Sequence, residues 1–160
     1  MVRNVFFSFH FDQDAWRVGQ VRNCVTTMNK TPFLDDTDWE SIKRGGDTAI
    51  TRWIDTQLEG TSVTVVLIGR YTSQRRYVRY ELRKSWEQNK GILGIYIHNC
   101  KNYRGETDMQ GSLDFGINFI DKYGIGKSFS ERFSIYDWVH HNGRMNIERW
   151  IEESAIQAGR

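Results

Sequence analysis

At 160 residues, the chain has the length of a single domain and can bury a core of about five strands with covering helices. Hydrophobic residues make up 39% and aromatic residues 14%, only Pro32 is a proline, and no linker-like stretch divides the sequence, which argues against a second domain. The formal net charge of +2 is too small to indicate a nucleic-acid partner, and no apolar run or signal-peptide pattern indicates a membrane span or secretion.

The first predicted strand covers residues 2–9, because Val5, Phe6 and Phe7 are apolar in a row, as in a strand buried on both faces. Asp12 or Asp14 is predicted to cap the following helix. Its apolar positions recur at helical spacings of three and four: Val18, Val21, Val25 and Met28.

A short strand can follow at residues 31–34, before the polar stretch 35–40. Gly45 and Gly46 then precede a second amphipathic helix, whose apolar positions are Ala49, Ile50, Trp53, Ile54 and Leu58. The clearest strand is the β-branched run at residues 62–68, which ends at Gly69. Ser73 is predicted to cap a third helix, with apolar positions at Val78, Leu82 and Trp86.

Residues 91–97 form a further buried strand, and residues 98–131 are glycine-rich and polar, which predicts a long loop or insertion. Residues 133–138 suit a last strand, with Phe133 and Ile135 on one face and Tyr136 and Trp138 on the other. A C-terminal helix is marked by Ile147, Trp150, Ile151, Ala155 and Ala158. This alternation predicts one α/β domain with a doubly wound, mostly parallel sheet.

Three segments are expected to converge where the parallel strands end, which is the usual ligand-binding edge of such sheets: residues 8–12, 35–40 and 69–81. Glu81 is the acid to single out there. Helical side chains lean toward the helix N-terminus, so its carboxylate should point toward the cleft. The alternative is a surface ion pair with Lys84, three residues further along.

Several other patterns are weaker. Gly126-Lys127-Ser128 imitates the end of a P-loop, but Asp121 stands where that motif needs a glycine. Asp35 and Asp36 resemble the acid pair of phosphoacceptor domains, but they follow the second strand rather than the first. The adjacent His140 and His141 lack further ligands, so no metal site is predicted. Cys24 and Cys100, far apart and outside any C-x-x-C motif, indicate free thiols that suit a reducing cytoplasm.

The segment Val5-Phe6-Phe7-Ser8-Phe9-His10 resembles the opening strand and loop of the TIR-like superfamily, and most closely the TIR-like proteins of bacterial Thoeris antiphage defence. Residues 65–69, followed by Arg75-Arg76-Tyr77-Val78-Arg79-Tyr80-Glu81, resemble that family's third strand and the helix that carries its catalytic glutamate. Residues 39–40 and 136–138 also look like family positions. The resemblance implies a flavodoxin-like, TIR-type sandwich over residues 1–160.

The resemblance further implies an NAD glycohydrolase or ADP-ribosyl cyclase, with Glu81 as the catalytic residue and NAD as substrate rather than cofactor. Ser8, Phe9, His10, Asp36 and Trp39 become the predicted wall of the nucleotide pocket. Trp39 could instead pack onto the core, and His10, as a lone histidine, is more typical of a hydrogen-bonded wall residue than of an acid or base. Family members usually place tryptophan four residues before the glutamate, where this chain has Tyr77.

Arg75 and Arg76 could bind the pyrophosphate with help from the helix N-terminus, or could simply form a solvated basic face. The resemblance favours cyclisation of ADP-ribose, with the product acting as a second messenger for a separate effector protein, and self-association is a further expectation. The alternative is a non-catalytic TIR scaffold that signals through homotypic contacts, because a fold does not determine a function.

Overall fold

Strands and helices alternate along the computed structural model, which describes residues 3–25, 29–30 and 36–160, with the backbone alone at 29–30 and 36–39. The strands are β1 (Asn4–Ser8), β2 (Asn29–Lys30), β3 (Val63–Ile68), β4 (Gly91–Tyr96), β5 (Phe119–Ile120), β6 (Gly126–Lys127) and β7 (Ile135–Asp137). The helices are α1 (Phe11–Arg22), α2 (Asp36–Arg44), α3 (Gly46–Leu58), α4 (Arg76–Glu87), α5 (Phe129–Arg132) and α6 (Gly143–Gln157), and Thr72–Gln74 forms a 3₁₀ turn.

Five of the strands form one parallel sheet in the order β2-β1-β3-β4-β7. This is the flavodoxin-like strand order, so the prediction of a doubly wound α/β fold is confirmed. Ser8 of β1 pairs in register with Val66 of β3, and Val66 pairs with Gly94 of β4. β3 and β4 end together at the pair Ile68 and Tyr96, and β1 ends two residues earlier at the same edge of the sheet.

Two apolar layers cover the sheet. On one face, α1 and α6 pack over the strands and bury Val18, Val21 and Trp150. On the other face, α4 contributes Val78 and Leu82 to a second cluster, while α3 packs on Phe6 through Ile50, Ile54 and Leu58. Burial of both faces explains why β3 is an uninterrupted apolar and β-branched run.

The predicted alternation of the last strand is confirmed. Tyr136 and Trp138 belong to the cluster under α1 and α6, and Tyr136 stacks on Trp150 with ring centroids 4.0 Å apart. Phe133 and Ile135 pack on the opposite face. The last strand thus extends both apolar layers.

The start and end of α1 differ from the prediction. Neither Asp12 nor Asp14 is the cap, because the helix begins at Phe11 with His10 at the N-cap. Both acids lie in the first turn, where a negative charge interacts favourably with the positive end of the helix dipole. The helix ends at Arg22, so Val25 is buried in the core from beyond its end. Met28 and the predicted strand at 31–34 lie outside the described residues, and β2 occupies 29–30.

The helix α2 was not predicted, and α4 starts later than predicted. The predicted cap Ser73 lies within the 3₁₀ turn, and α4 begins only at Arg76. The hydroxyl of Thr72 accepts the Gly69 N–H at 2.8 Å, which holds the chain in a tight turn before the helix. The segment read as a polar stretch from residue 35 contains the first half of α2, whose Lys43 pairs with Glu40 at 2.7 Å.

Residues 98–118, here called the strap, run across the carboxyl end of the sheet. Arg17 of α1 donates to the strap carbonyls of Cys100 (2.8 Å) and Glu106 (3.0 Å). Gly111 lies so close to β3 that an added Cβ would be 2.0 Å from the Gly69 carbonyl oxygen. Close backbone packing therefore joins the strap to the end of β3.

The chain after the strap forms a hairpin of β5 and β6, followed by α5. Ser128 and Glu131 form a capping box at α5, so the segment that imitates a P-loop is a strand followed by a helix cap. Among the residues that the structure describes, no helix has the length and apolarity of a membrane span.

Candidate active site

Glu81 lies in the second turn of α4 with its carboxylate buried at the end of β1. The side chain is 8% exposed, and the hydroxyl of Ser8 donates a hydrogen bond to its Oε2. Lys84, the alternative ion-pair partner, is instead 4.0 Å from Glu87. Glu81 is therefore an inward-facing carboxylate, away from the exposed side of the helix.

A pair of buried hydroxyls fixes the backbone beneath Glu81. Ser85 donates to the carbonyl oxygen of Glu81 at 2.7 Å, and Thr64 of β3 lies 2.6 Å from the Ser85 hydroxyl oxygen. Because the Ser85 proton is already donated, Thr64 is the donor of this second bond. The chain of two bonds anchors α4 to the central strand at the level of Glu81.

Burial dominates the electrostatics of Glu81. Loss of water raises the pKa of its carboxyl from 4.5 to about 8, and the hydrogen bond from Ser8 offsets part of that rise. A buried carboxyl whose pKa is shifted this far, at the ligand-binding edge of a parallel sheet, is typical of a functional site.

His10 follows β1 and occupies the N-cap position of α1 without a side-chain capping bond. Its Nδ1 is buried without a hydrogen-bond partner among the described residues. Burial and the positive charge of Arg75 lower the pKa of its imidazole, so the neutral ring is favoured. Phe9 packs against the cluster under α1 and α6, on the opposite face of the sheet from Phe6. The residues predicted to form one pocket wall therefore lie on both faces of the sheet, with Ser8 toward α4 and Phe9 toward α1 and α6.

Asp47, in the first turn of α3, brings together two of the predicted residues of α4. Arg76 donates to Asp47 Oδ2 at 2.6 Å, and the hydroxyl of Tyr77 donates to Oδ1. Arg76 is therefore held at an exposed rim, while Arg75 lies nearer to His10. The side chains of Asp36 and Trp39 fall outside the described residues, although both belong to α2.

A second buried carboxylate, Asp14, escaped the sequence analysis as a site residue. It is 1% exposed, lies 3.4 Å from the Thr72 hydroxyl, and packs so closely on Gly69 that an added Cβ would be 2.2 Å from Oδ2. Burial raises the pKa of Asp14 to about 6. Its spacing of four residues before Val18 places it on the apolar stripe of α1, and this signal was available in the sequence.

Comparison with known proteins identifies the family of this chain. The family model described as the TIR-like domain of Thoeris protein ThsB matches residues 6–102, which span β1 to β4 and include Ser8 and Glu81. A protein of Bacillus cereus (strain MSX-D12), named "Putative cyclic ADP-D-ribose synthase ThsB1", is 39% identical over 143 residues, which cover 87% of this chain and 72% of that protein. The chain therefore belongs to the family of ThsB TIR-like domains.

Proposed function

We propose that this protein cleaves the bond between nicotinamide and ribose in NAD and closes the ADP-ribosyl group into an isomer of cyclic ADP-ribose. The observation that carries the proposal is the Glu81 carboxylate, buried at the carboxyl edge of the sheet and bonded to Ser8. The similar protein named "Putative cyclic ADP-D-ribose synthase ThsB1" supports the product class, and NAD is the substrate that we propose.

A single carboxylate is enough for this reaction. Breaking an N-glycosidic bond leaves positive charge on the ribose, as in glycoside hydrolysis, and a nearby carboxylate stabilises that charge. Nicotinamide departs from NAD as a neutral molecule without needing a proton, so no general acid is required. Burial strengthens the attraction between ionised Glu81 and the ribose, because the surroundings screen charge weakly.

The choice of nucleophile decides the product. Attack by water on the ribose gives linear ADP-ribose, whereas attack by a hydroxyl or ring nitrogen of the same molecule gives a cyclic isomer. The second outcome requires a folded substrate and exclusion of water from the reacting carbon. In the proposed cycle, the strap helps to exclude water, since it already covers the end of β3 through Gly111.

The remaining predicted residues take supporting roles in the proposal. Arg75 is the better candidate for the pyrophosphate, because Arg76 is paired with Asp47. Neutral His10 would hydrogen-bond the substrate through its buried Nδ1. Tyr77 would order the rim through Asp47. Phe9, Asp36 and Trp39 would complete the pocket, and the released product would act on a separate effector protein.

Glu81 also separates this proposal from that of a non-catalytic scaffold. A buried carboxyl with a strongly raised pKa destabilises the folded state at neutral pH, because its ionised form is poorly solvated. Homotypic contacts need no such group in the interior. A catalytic site accounts for the unfavourable placement, and a scaffold does not.

The test is incubation of purified protein with NAD, followed by chromatography and mass spectrometry of NAD, nicotinamide, linear ADP-ribose and the cyclic isomer, which is lighter by one water. We expect the cyclic isomer to accumulate with the unaltered chain. Glu81→Gln should reduce NAD consumption by about 100-fold or more, as for loss of a principal electrostatic group.

Glu87→Gln is the matched control, since Glu87 lies on the exposed side of the same helix and should leave turnover unchanged. The same comparison in cells challenged with phage covers the case in which infection is needed to activate the enzyme. Equal NAD loss with Glu81→Gln would remove Glu81 from its role. No NAD loss in either setting would favour the scaffold.

A further inference from the structure

Ser8 has an unusually constrained position for a predicted pocket residue. It is the last residue of β1, it pairs in register with Val66 of the neighbouring strand, and its relative exposure is 0%. Its hydroxyl donates to Glu81 Oε2. A hydroxyl has one proton to donate, and here the carboxylate receives it. Ser8 is thus placed to act on Glu81 rather than to contact a substrate directly.

Several charged groups on the elements around Glu81 bond to partners other than Glu81. On α4, Arg79 donates to the carbonyl of Ser73 at 2.8 Å. The two acids of α3 that face α4 accept bonds from tyrosines, and β3 carries no charged side chain. The charged or titratable groups of α3, of α4 and of the residues that directly precede α1 and α4 are His10, Asp47, Arg52, Asp55, Arg75, Arg76, Tyr77, Arg79, Tyr80, Arg83, Lys84 and Glu87.

None of these groups ranks among the causes of the shift at Glu81, which are burial and the bond from Ser8. Within the part of the chain that the structure describes, Ser8 is therefore the side chain that favours the ionised carboxylate. A hydrogen bond donated to an ionised acceptor is shorter and stronger than one to a neutral acceptor. Removing it should disfavour the charged form that the proposed reaction uses.

We propose that Ser8 is a positioning residue, whose buried hydroxyl holds the Glu81 carboxylate in one orientation and favours its ionised form. The kinetic consequence rests on the proposed NAD cleavage, because it requires ionised Glu81 in the reaction. The coupling between the two side chains does not, and it can be measured without turnover.

The kinetic test is the pH profile of kcat/KM for NAD with Ser8→Ala. Loss of the bond raises the pKa of Glu81 beyond about 8, so the rising limb of the profile should move to higher pH. For each pKa unit of movement, kcat/KM below the limb falls about tenfold, and the profiles converge at alkaline pH. Ser8→Thr, which keeps a hydroxyl, should restore the original limb.

Ser154→Ala is the matched control, since Ser154 is a buried serine of α6 on the other face of the sheet. Its pH profile should superimpose on that of the unaltered chain. A purely structural role of Ser8 would lower kcat/KM equally at every pH. An unshifted limb with Ser8→Ala would overturn the proposal.

The second test uses thermal unfolding from pH 6 to pH 9 and needs no substrate. Ser8→Ala should lower the Tm more at pH 9, where Glu81 is ionised, than at pH 6. In a Glu81→Gln background, the same change should lower the Tm equally at both pH values. A pH-independent effect in both backgrounds would show that the residues are uncoupled. Coupling without NAD cleavage would retain the pairing and reject only the proposed reaction.

Discussion

At the scale of single residues, the carboxyl edge is organised by two buried acids. Glu81 of α4 accepts a hydrogen bond from Ser8, and Asp14 of α1 packs on Gly69. The sequence singled out Glu81 because its family motif surrounds it and its helical position leans toward the cleft. Asp14 was interpreted only as a helix cap, since an aspartate near the start of a helix usually has that explanation.

Gly69 should be sensitive to the smallest possible side chain. In Gly69→Ala, the new Cβ would lie 2.2 Å from Asp14 Oδ2, so the carboxylate must move within a closely packed site. We expect the free energy of unfolding to fall by about 1–3 kcal/mol, as for other overpacked sites. Urea denaturation measures this loss.

Gly19→Ala provides the opposite case. Gly19 lies inside α1 with nothing within 4 Å of an added Cβ, so the same substitution should stabilise the helix by about 0.5–1 kcal/mol.

Combining Gly69→Ala with Asp14→Ala should recover part of the stability lost in Gly69→Ala if the carboxylate is the obstacle. Strictly additive effects would show that the obstacle is something else.

At the scale of elements, local periodicity identified the strands and helices whose residues form an apolar face. The run at β3 and the alternation at β7 are both signals within a few adjacent residues. The start of α4 was misplaced because backbone bonds from the Gln74 and Arg75 N–H groups to the Tyr71 and Thr72 carbonyls form a 3₁₀ turn first, and hydrophobic periodicity does not predict such a turn. The strap was unpredictable in detail, because its contacts join distant parts of the chain.

Arg17 is the residue that ties the strap to α1. It is 5% exposed and donates to the carbonyls of Cys100 and Glu106. Arg17→Met keeps an apolar stem but removes both donors, and it leaves at least the Cys100 carbonyl buried without this partner. We expect local opening of the strap at a cost of about 1–3 kcal/mol. Limited trypsin digestion should then cut faster after Lys101 and Arg104.

Gln20→Ala is the control for this element. Gln20 also donates to the strap, at the Lys101 carbonyl, but that bond is exposed and water can replace it. Its digestion pattern should resemble that of the unaltered chain. If Arg17→Met instead accelerated cleavage throughout the protein, the arginine would support the whole fold rather than the strap.

At the scale of the whole molecule, the buried acids should set an unusual dependence of stability on pH. The pKa of Glu81 is raised from 4.5 to about 8 and that of Asp14 from 3.8 to about 6. Each folded-state acid binds its proton more tightly than the unfolded chain does. Their contributions to stability are therefore complete below the ordinary values and are lost as pH rises through the raised ones.

The pH range in which a change in stability can be assigned mainly to Glu81 is about 6.5–8, because other groups titrate outside it. Burial lowers the pKa of His10 and of His98 below 6.5, so their contributions increase as pH rises toward that value and then stay constant. Asp14, with a pKa of about 6, is mostly ionised at the lower end of this range. Lys90, with its pKa lowered to about 8, stabilises with rising pH mainly above this range. Glu81 is the described carboxylate that still titrates between these limits.

We therefore expect the free energy of unfolding to fall by about 1–2 kcal/mol between pH 6.5 and pH 8, since each pKa unit corresponds to about 1.4 kcal/mol. Urea denaturation at fixed ionic strength measures this slope. Glu81→Gln should make it nearly flat and should be more stable than the unaltered chain at pH 8, because the amide has no proton to lose. Glu87→Gln, exposed on the same helix, should keep the slope. If the slope persisted in Glu81→Gln, the pKa of Glu81 in the folded protein would be close to its value in water. The raised pKa could then no longer support a functional role for this carboxyl.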